Sequence, residues 1–187
     1  MTRIIGGSAG GRRLRTPPGD ATRPTSDRVR EALFSALEAE FGSLHGLRLL
    51  DLYAGSGAVG LEAASRGAVG VTAVESDRRT ARLVAANAAD LGLDVDVRAQ
   101  PVASVLAAGP EDRLDVVLLD PPYPLPGEEV SHVLDLLVAH GWVEPGGAVV
   151  VERSARSVEP RWPEGMQLRR SKKYGETVLW YLRRVSD

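Results

Sequence analysis

The stretch LLDLYAGSGAVG, residues 49–60, constrains the fold of this chain more than any other. An apolar run ends on Asp51, turns through closely spaced glycines and continues as an alanine-rich helix. Gly55, Gly57 and Gly60 spell G-x-G-x-x-G in strand–turn–helix context, where glycine permits a tight turn and close backbone approach to a ligand. Glu75 closes the next apolar segment, 20 residues after Gly55. A carboxylate there can hold both hydroxyls of an adenosine ribose, so the pattern points to a nucleoside cofactor.

The rest of the chain repeats the same alternation. A helix is predicted from Thr25–Asp27, which offer capping side chains, to about Glu40, with Val29, Leu33 and Leu37 on one face and Gly42 as its stop. Strands are predicted at 47–52, 70–75, 95–99, 115–119 and 147–152, and helices at 58–67, 77–91, 101–108 and 128–140. Asp77 should cap the third helix and Gly92 close it. Beyond Pro163 the alternation stops, and MQLRR and TVLWYLRR read as two strands joined through SKKYGE. Repeated strand–helix units imply a doubly wound, mostly parallel sheet covered on both faces, with an antiparallel closing edge.

Ahead of this body, Arg3–Ile5 and Arg12–Arg15 read as short strands around the turn 6–11, a hairpin or flexible finger. The proline-rich stretch after it reads as a linker. At 187 residues and 43% hydrophobic, the chain suits one core with a short appendage: residues 1–24 as a basic arm and 25–187 as the main domain. No apolar stretch of about 18 residues and no leader peptide is visible, so a cytoplasmic chain with no membrane partner is expected; a monomer is the separate expectation for its oligomeric state. There is no cysteine, and His45, His132 and His140 lack close metal-ligand spacing, so no metal is expected.

The glycine turn alone admits a nicotinamide dinucleotide or S-adenosylmethionine. A carboxylate at Asp51 would repel a pyrophosphate but suit the ammonium of a methionine tail, directly or through water. The acidic start of the turn therefore favours S-adenosylmethionine.

A second signature lies at VVLLDPPYPLPG, residues 116–127. Pro121 and Pro122 cannot donate to a sheet ladder, so pairing ends near Asp120, at a strand's carboxyl end, where α/β sheets bind ligands. An exocyclic base amine is a poor nucleophile because its lone pair is spread into the ring. An acceptor pair, the Asp120 carboxylate and the Pro121 carbonyl, can take both N–H bonds and turn that lone pair toward an electrophile. Pro121 and Pro122 keep the turn stiff, and Tyr123 can stack on an extruded base, worth about 1–3 kcal/mol.

Charge is split along the chain. Residues 1–30 carry seven arginines against two acids, +5, and the remaining 157 residues carry −7. Arg3, Arg12, Arg13, Arg15, Arg23, Arg28 and Arg30 suit bidentate phosphate contacts, which suggests a polyanion partner for the arm. Lys172, Lys173 and Tyr174 read equally as an RNA contact or a solvated hairpin tip. Trp142, Trp162 and Trp180 read as packing residues.

These motifs, RIIGGSAGGRRL, RPTSDRVREALFSAL, LLDLYAGSGAVGLEAASRGA, VTAVESD and LLDPPY, together resemble the RsmD-type 16S ribosomal RNA guanine-N2 methyltransferases over most of the chain. The resemblance implies a class I, Rossmann-like methyltransferase fold: a seven-stranded sheet in the order 3-2-1-4-5-7-6 with an antiparallel last strand. In that order the strands ending at Asp51 and Asp120 are neighbours. It implies S-adenosylmethionine as methyl donor and S-adenosylhomocysteine as product. The cofactor pocket would use Asp51, Ala54, Gly55, Ser56, Gly57, Glu75 and Ser76, the target amine Asp120–Tyr123, and ribosomal RNA the arginine arm. Many relatives place an acidic residue after the third strand to contact the adenine, whereas this chain reads RAQPVASVL; Gln100 or the Val102 backbone N–H would serve instead. The competing readings are a DNA adenine-N6 or cytosine-N4 methyltransferase, for which the short chain leaves little room, and a noncatalytic RNA-binding or assembly protein on the same fold.

Overall fold

The computed structural model describes residues 2–19 and 26–186. Strands and helices alternate as α1 (Asp27–Phe41), β1 (Arg48–Leu52), α2 (Ala58–Ser65), β2 (Val69–Val74), α3 (Arg78–Leu91), β3 (Val95–Arg98), α4 (Val102–Ala107), β4 (Leu114–Leu119), α5 (Gly127–Ala139), β5 (Val143–Ser154), β6 (Met166–Tyr174) and β7 (Thr177–Arg184). The seven strands form one sheet in the order β3-β2-β1-β4-β5-β7-β6, as expected for the class I methyltransferase fold. By compactness the chain divides into two units, Met1–Gln100 and Pro101–Asp187.

In the first unit β1, β2 and β3 pair in parallel. Strand β1 is buried at four of its five residues, which is why it reads as a continuous apolar run rather than an alternating one. Helix α1 buries Val29, Leu33, Phe34 and Leu37, the face its spacing predicts. Ser26 supplies its cap by accepting from the Val29 N–H, while Thr25 lies outside the described residues. Asp77 caps α3 through the Thr80 N–H, and Gly92, at φ 64°, ends it in the left-handed region.

The N-terminal segment differs from its reading as two short strands. Only a single antiparallel bridge, Arg3 with Arg13, forms there. The chain is a tight hairpin, with Ile4 N–H donating to the Arg12 carbonyl at 2.9 Å and Gly11 N–H to the Ile4 carbonyl at 2.8 Å. Two further N–H groups bond to the end of α2: Ser8 N–H reaches the Ser65 carbonyl and Ala9 N–H the Ser65 Oγ. A Cβ at Gly7 would lie 1.9 Å from the Ser65 carbonyl oxygen, so that approach demands glycine. Ile4, Ala9 and Leu14 share a core with Ala58, Leu61 and Ala88. The described part of the arm is therefore packed structure, not a free finger.

In the second unit β4 and β5 run parallel, and β7 is antiparallel to both β5 and β6. Two boundaries depart from expectation. Strand β5 begins at Val143 rather than 147, because the register slips between Leu114↔Val143 and Val116↔Ala148 and absorbs Pro145-Gly146-Gly147 as a bulge. Strand β6 runs on through SKKY to Tyr174, leaving only Gly175-Glu176 as the hairpin turn; Gly175 supplies the positive φ of 58°. Trp142 is buried and donates from Nε1 to the Leu106 carbonyl at 2.9 Å, and Trp162 packs on Trp180 at 5.6 Å, in keeping with their reading as packing residues.

Candidate functional site

The glycine turn follows β1 directly. Tyr53 takes φ 61°, a left-handed conformation costly for a side-chain-bearing residue, and Gly55 (56°) and Gly57 (80°) extend the same tight path. Ala54 N–H pairs with the Val74 carbonyl, and Gly57 N–H with the Ala54 carbonyl, which closes the turn. A Cβ on Gly57 would stand 2.6 Å from Val84 Cγ1, whereas one on Gly55 would meet nothing within 4 Å. Gly57 thus serves helix packing, and Gly55 leaves its backbone open to a ligand.

Glu75 is half-buried beside this turn. Its Oε2 accepts from the Gly55 N–H at 3.0 Å and its Oε1 from the Asp77 N–H at 3.0 Å. Two backbone donors thereby fix the carboxylate, and each oxygen keeps a further lone-pair direction for a hydroxyl. That pair of acceptor oxygens fits the hydroxyls of an adenosine ribose. Asp51 is only 2% exposed, and its Oδ2 accepts from the Gly60 N–H at 2.9 Å. Its first task is to pin α2 to the end of β1; its charge remains beneath the turn. Ser76 and Gln100 are exposed, Ser56 is buried, and Val102 is the first residue of α4 with its side chain buried. The Asp77 carboxyl sits below the usual carboxylate range because it accepts the Thr80 N–H of the helix cap.

Sequence reasoning missed Asn87. Its side chain is buried on α3, donates to the Arg15 and Ser56 carbonyls at 3.0 and 3.2 Å, and accepts from the Arg15 N–H at 3.0 Å. One amide thus holds the arm and the glycine turn together. Its only signal in the sequence is a polar residue on the face carrying Ala81, Val84 and Ala88.

In the second unit Asp120 leaves β4 half-buried, Pro121 is buried, and Pro122 and Tyr123 reach the surface, Tyr123 at 45% exposure. Leu125 N–H returns to the Pro122 carbonyl at 2.9 Å, so 122–125 form a closed turn that presents the Tyr123 ring outward. Arg153 on β5, 5% exposed, donates from Nη2 to the Leu125 carbonyl at 2.8 Å. Prolines at 121, 122, 124 and 126 strip this loop of donors, so a buried guanidinium fastens it through an acceptor instead. An arginine after an apolar run, VVVER, was the available sign of a buried charge.

The arm's arginines have divided roles. Arg3, Arg12, Arg13, Arg15 and Arg28 are exposed; Arg23 lies outside the described residues. Arg15 pairs with Asp90 at 2.8 Å, Arg3 with Asp27 at 3.8 Å, and Arg12 donates to the Asp90 carbonyl. Arg30, expected on the polyanion face, is instead fully buried. It donates to the Arg3 carbonyl and to Asp27 Oδ1, and lies 3.6 Å from Glu62 Oε2. Burial pulls its pKa below the ordinary arginine value, against the pull of Glu62 and Asp27. Its place is inside the fold, because Glu62, itself fully buried on α2, requires a counter-charge.

The model of the family described as conserved hypothetical protein 95 matches residues 2–183. Ribosomal RNA small subunit methyltransferase D of Escherichia coli is 35% identical over 94% of this chain and 86% of its own length. The protein of the same name from Haemophilus influenzae is 32% identical over 80% of this chain and 77% of its own. The solved structure of yhhF from Escherichia coli superposes with a TM-score of 0.87 at 33% identity, covering 99% of this chain and 98% of that one. With the glycine turn, Glu75 and the D-P-P-Y turn in place, the chain belongs to the conserved hypothetical protein 95 family, the RsmD family of methyltransferases.

Proposed function

We propose that this protein methylates the exocyclic N2 amine of one guanine in small-subunit (16S) ribosomal RNA during ribosome assembly in the cytoplasm, with S-adenosylmethionine as donor. The observation that carries the reading is the D-P-P-Y turn: a carboxylate and a proline carbonyl at the end of a buried strand, followed by an outward-facing aromatic ring. Residues 1–24 serve as the RNA-binding appendage and 25–187 carry the transfer.

The bound donor supplies an electrophilic sulfonium methyl. Glu75 and the Gly55 backbone hold its nucleoside, and Asp51 provides negative charge for the methionine ammonium. Asp120 and the Pro121 carbonyl accept the amine N–H groups, and Tyr123 stacks on the guanine. As the N–CH3 bond forms and the S–CH3 bond breaks, the amine proton becomes acidic and leaves to Asp120 or water. Positioning supplies most of the catalysis, with no covalent enzyme intermediate. Arg3, Arg12, Arg13, Arg15 and Arg28 contact phosphates; their exposed ion pairs are weak enough to be exchanged for a phosphate.

Tritiated methyl transfer to small subunits lacking the modification, followed by nucleoside mapping, tests the reading. Label in N2-methylguanosine is expected. Label in N6-methyladenosine or in DNA would overturn the substrate. Arg153→Ala is expected to lower kcat roughly 10–100-fold by loosening the 122–125 turn, with S-adenosylmethionine affinity unchanged and partial rescue by Arg153→Lys. Steady-state kinetics with calorimetry check this; a wild-type kcat in the alanine variant would remove Arg153 from the positioning of the loop.

A further inference from the structure

Strand β6 ends the sheet order, so one of its backbone edges faces no further strand among the described residues. Its nine residues, MQLRRSKKY, contain Arg169, Arg170, Lys172 and Lys173, both lysines of the chain, and no acid. All four cations are exposed. Among the described residues none of them forms an ion pair. Arg170 lies over the Tyr181 ring at 4.5 Å, Lys172 over Tyr174 at 5.5 Å, and Arg169 meets only the Gln167 amide oxygen. Some arginines elsewhere are paired: Arg15, Arg98, Arg156 and Arg161 each face a carboxylate at 2.6–3.4 Å.

The register places these cations around the edge. Arg170 stands opposite Tyr181 and Lys172 opposite Leu179, so both project from one face, about 7 Å apart at a strand's rise per residue. Lys173 projects from the other face, and Arg169 sits in the bulge between Leu168 and Arg170. Positive charge therefore flanks the open edge on both sides. Four like charges within five positions repel one another and find no carboxylate partner among the described residues. A single lysine is enough to discourage edge pairing. The arrangement gains its energy when a polyanion supplies the missing counter-charge.

We propose that the β6 edge is a second RNA-contact surface, read through the phosphate backbone and independent of base sequence. The inference rests on the rRNA-methylation reading only for the identity of the natural RNA. The body that follows residue 30 carries −7, which confines RNA attraction to basic islands, and β6 is one of them. The Tyr174 and Tyr181 rings hold Lys172 and Arg170 in place.

The test is the pair of substitutions K172E/K173E in the full chain. Reversed charge keeps the edge guarded against strand pairing while removing the phosphate contacts. Binding of a fluorescein-labelled, mixed-sequence single-stranded RNA is followed by anisotropy across a salt series, alongside S-adenosylmethionine calorimetry and methyl transfer to unmodified small subunits. The expected result is an affinity at least about tenfold weaker near 0.1 M salt and a log–log salt slope shallower by about 1.4, with cofactor affinity and oligomeric state unchanged. Unchanged affinity and slope would overturn the proposal and leave the charges as edge protection, as would self-association of the variant with RNA binding intact. Weakened RNA binding by the variant, in a protein whose wild type labels no small subunit, would support the β6 surface while sinking the rRNA-methylation reading.

Discussion

Asp120→Ala is expected to lower methyl transfer by about 100–1,000-fold while changing S-adenosylmethionine affinity by no more than a few-fold. Asp120 closes β4, at the first residue of the donor-poor loop that Arg153 fastens. In the proposed reaction its carboxylate takes one amine N–H, aligns the nitrogen lone pair and receives charge as the amine becomes cationic. Removing it takes away an interaction that strengthens toward the transition state, so kcat falls and KM changes little. Asp120→Asn keeps one acceptor oxygen without the charge and should fall between the two. Single-turnover transfer to small subunits, with calorimetry of the cofactor, checks the series; near wild-type transfer by the alanine variant would remove Asp120 from the chemistry.

The second large effect concerns stability. Glu62→Ala should cost about 3–5 kcal/mol, because it leaves the buried Arg30 guanidinium with only the half-exposed Asp27 as counter-charge and takes the acceptor from two hairpin N–H groups. Glu62 accepts the Ile5 and Gly6 N–H groups at 2.8 and 2.9 Å and Arg66 Nε at 2.9 Å, and it faces Arg30 Nε at 3.6 Å. Arg66 extends the network to Glu31 and Glu38, each at 3.2 Å. For a chain of this size that loss lowers Tm by roughly 10 °C. Proteolysis should then cut the hairpin 2–15 before the body, since its backbone donors lose their acceptor. Replacing both partners, E62L with R30M, should recover only the part of the loss that comes from the stranded guanidinium, because the Ile5 and Gly6 N–H groups still lack their acceptor. A Glu62→Ala protein that melts as the wild type does would show that the buried pair does not hold the arm.

Much of this architecture was legible in the residue order. The apolar run of β1, the three glycines and the carboxylate of β2's end are local features, and they define a strand, a turn and a helix wherever they occur. Helix α3 is bounded by Asp77 and Gly92 as their chemistry requires. D-P-P-Y ends β4 because proline cannot donate to a ladder. The errors fell where a distant partner overrides a local signal. Pro145-Gly146-Gly147 reads as a turn but becomes a bulge, since β4 pairs on either side of it. SKKY reads as a loop but is strand, since β7 lies opposite.

The sequence by itself determined the alternating fold, the glycine turn, the family and the proline turn that ends β4, because each depends on backbone preference and short-range spacing. It also showed that positive charge gathers near the N-terminus. Which of those charges remain outside was decided only by the tertiary structure. Arg30 and Glu62 are 32 positions apart, and only the tertiary packing that brings α1 to α2 makes them a buried pair. Asn87 joins the arm to the glycine turn across 72 and 31 residues. Four cations with no ion pair among the described residues cluster on β6, exposed where the sheet order places that strand at an edge. Desolvation and counter-charge are properties of position in space, so whether an arginine binds phosphate or builds the core depends on what the fold packs around it.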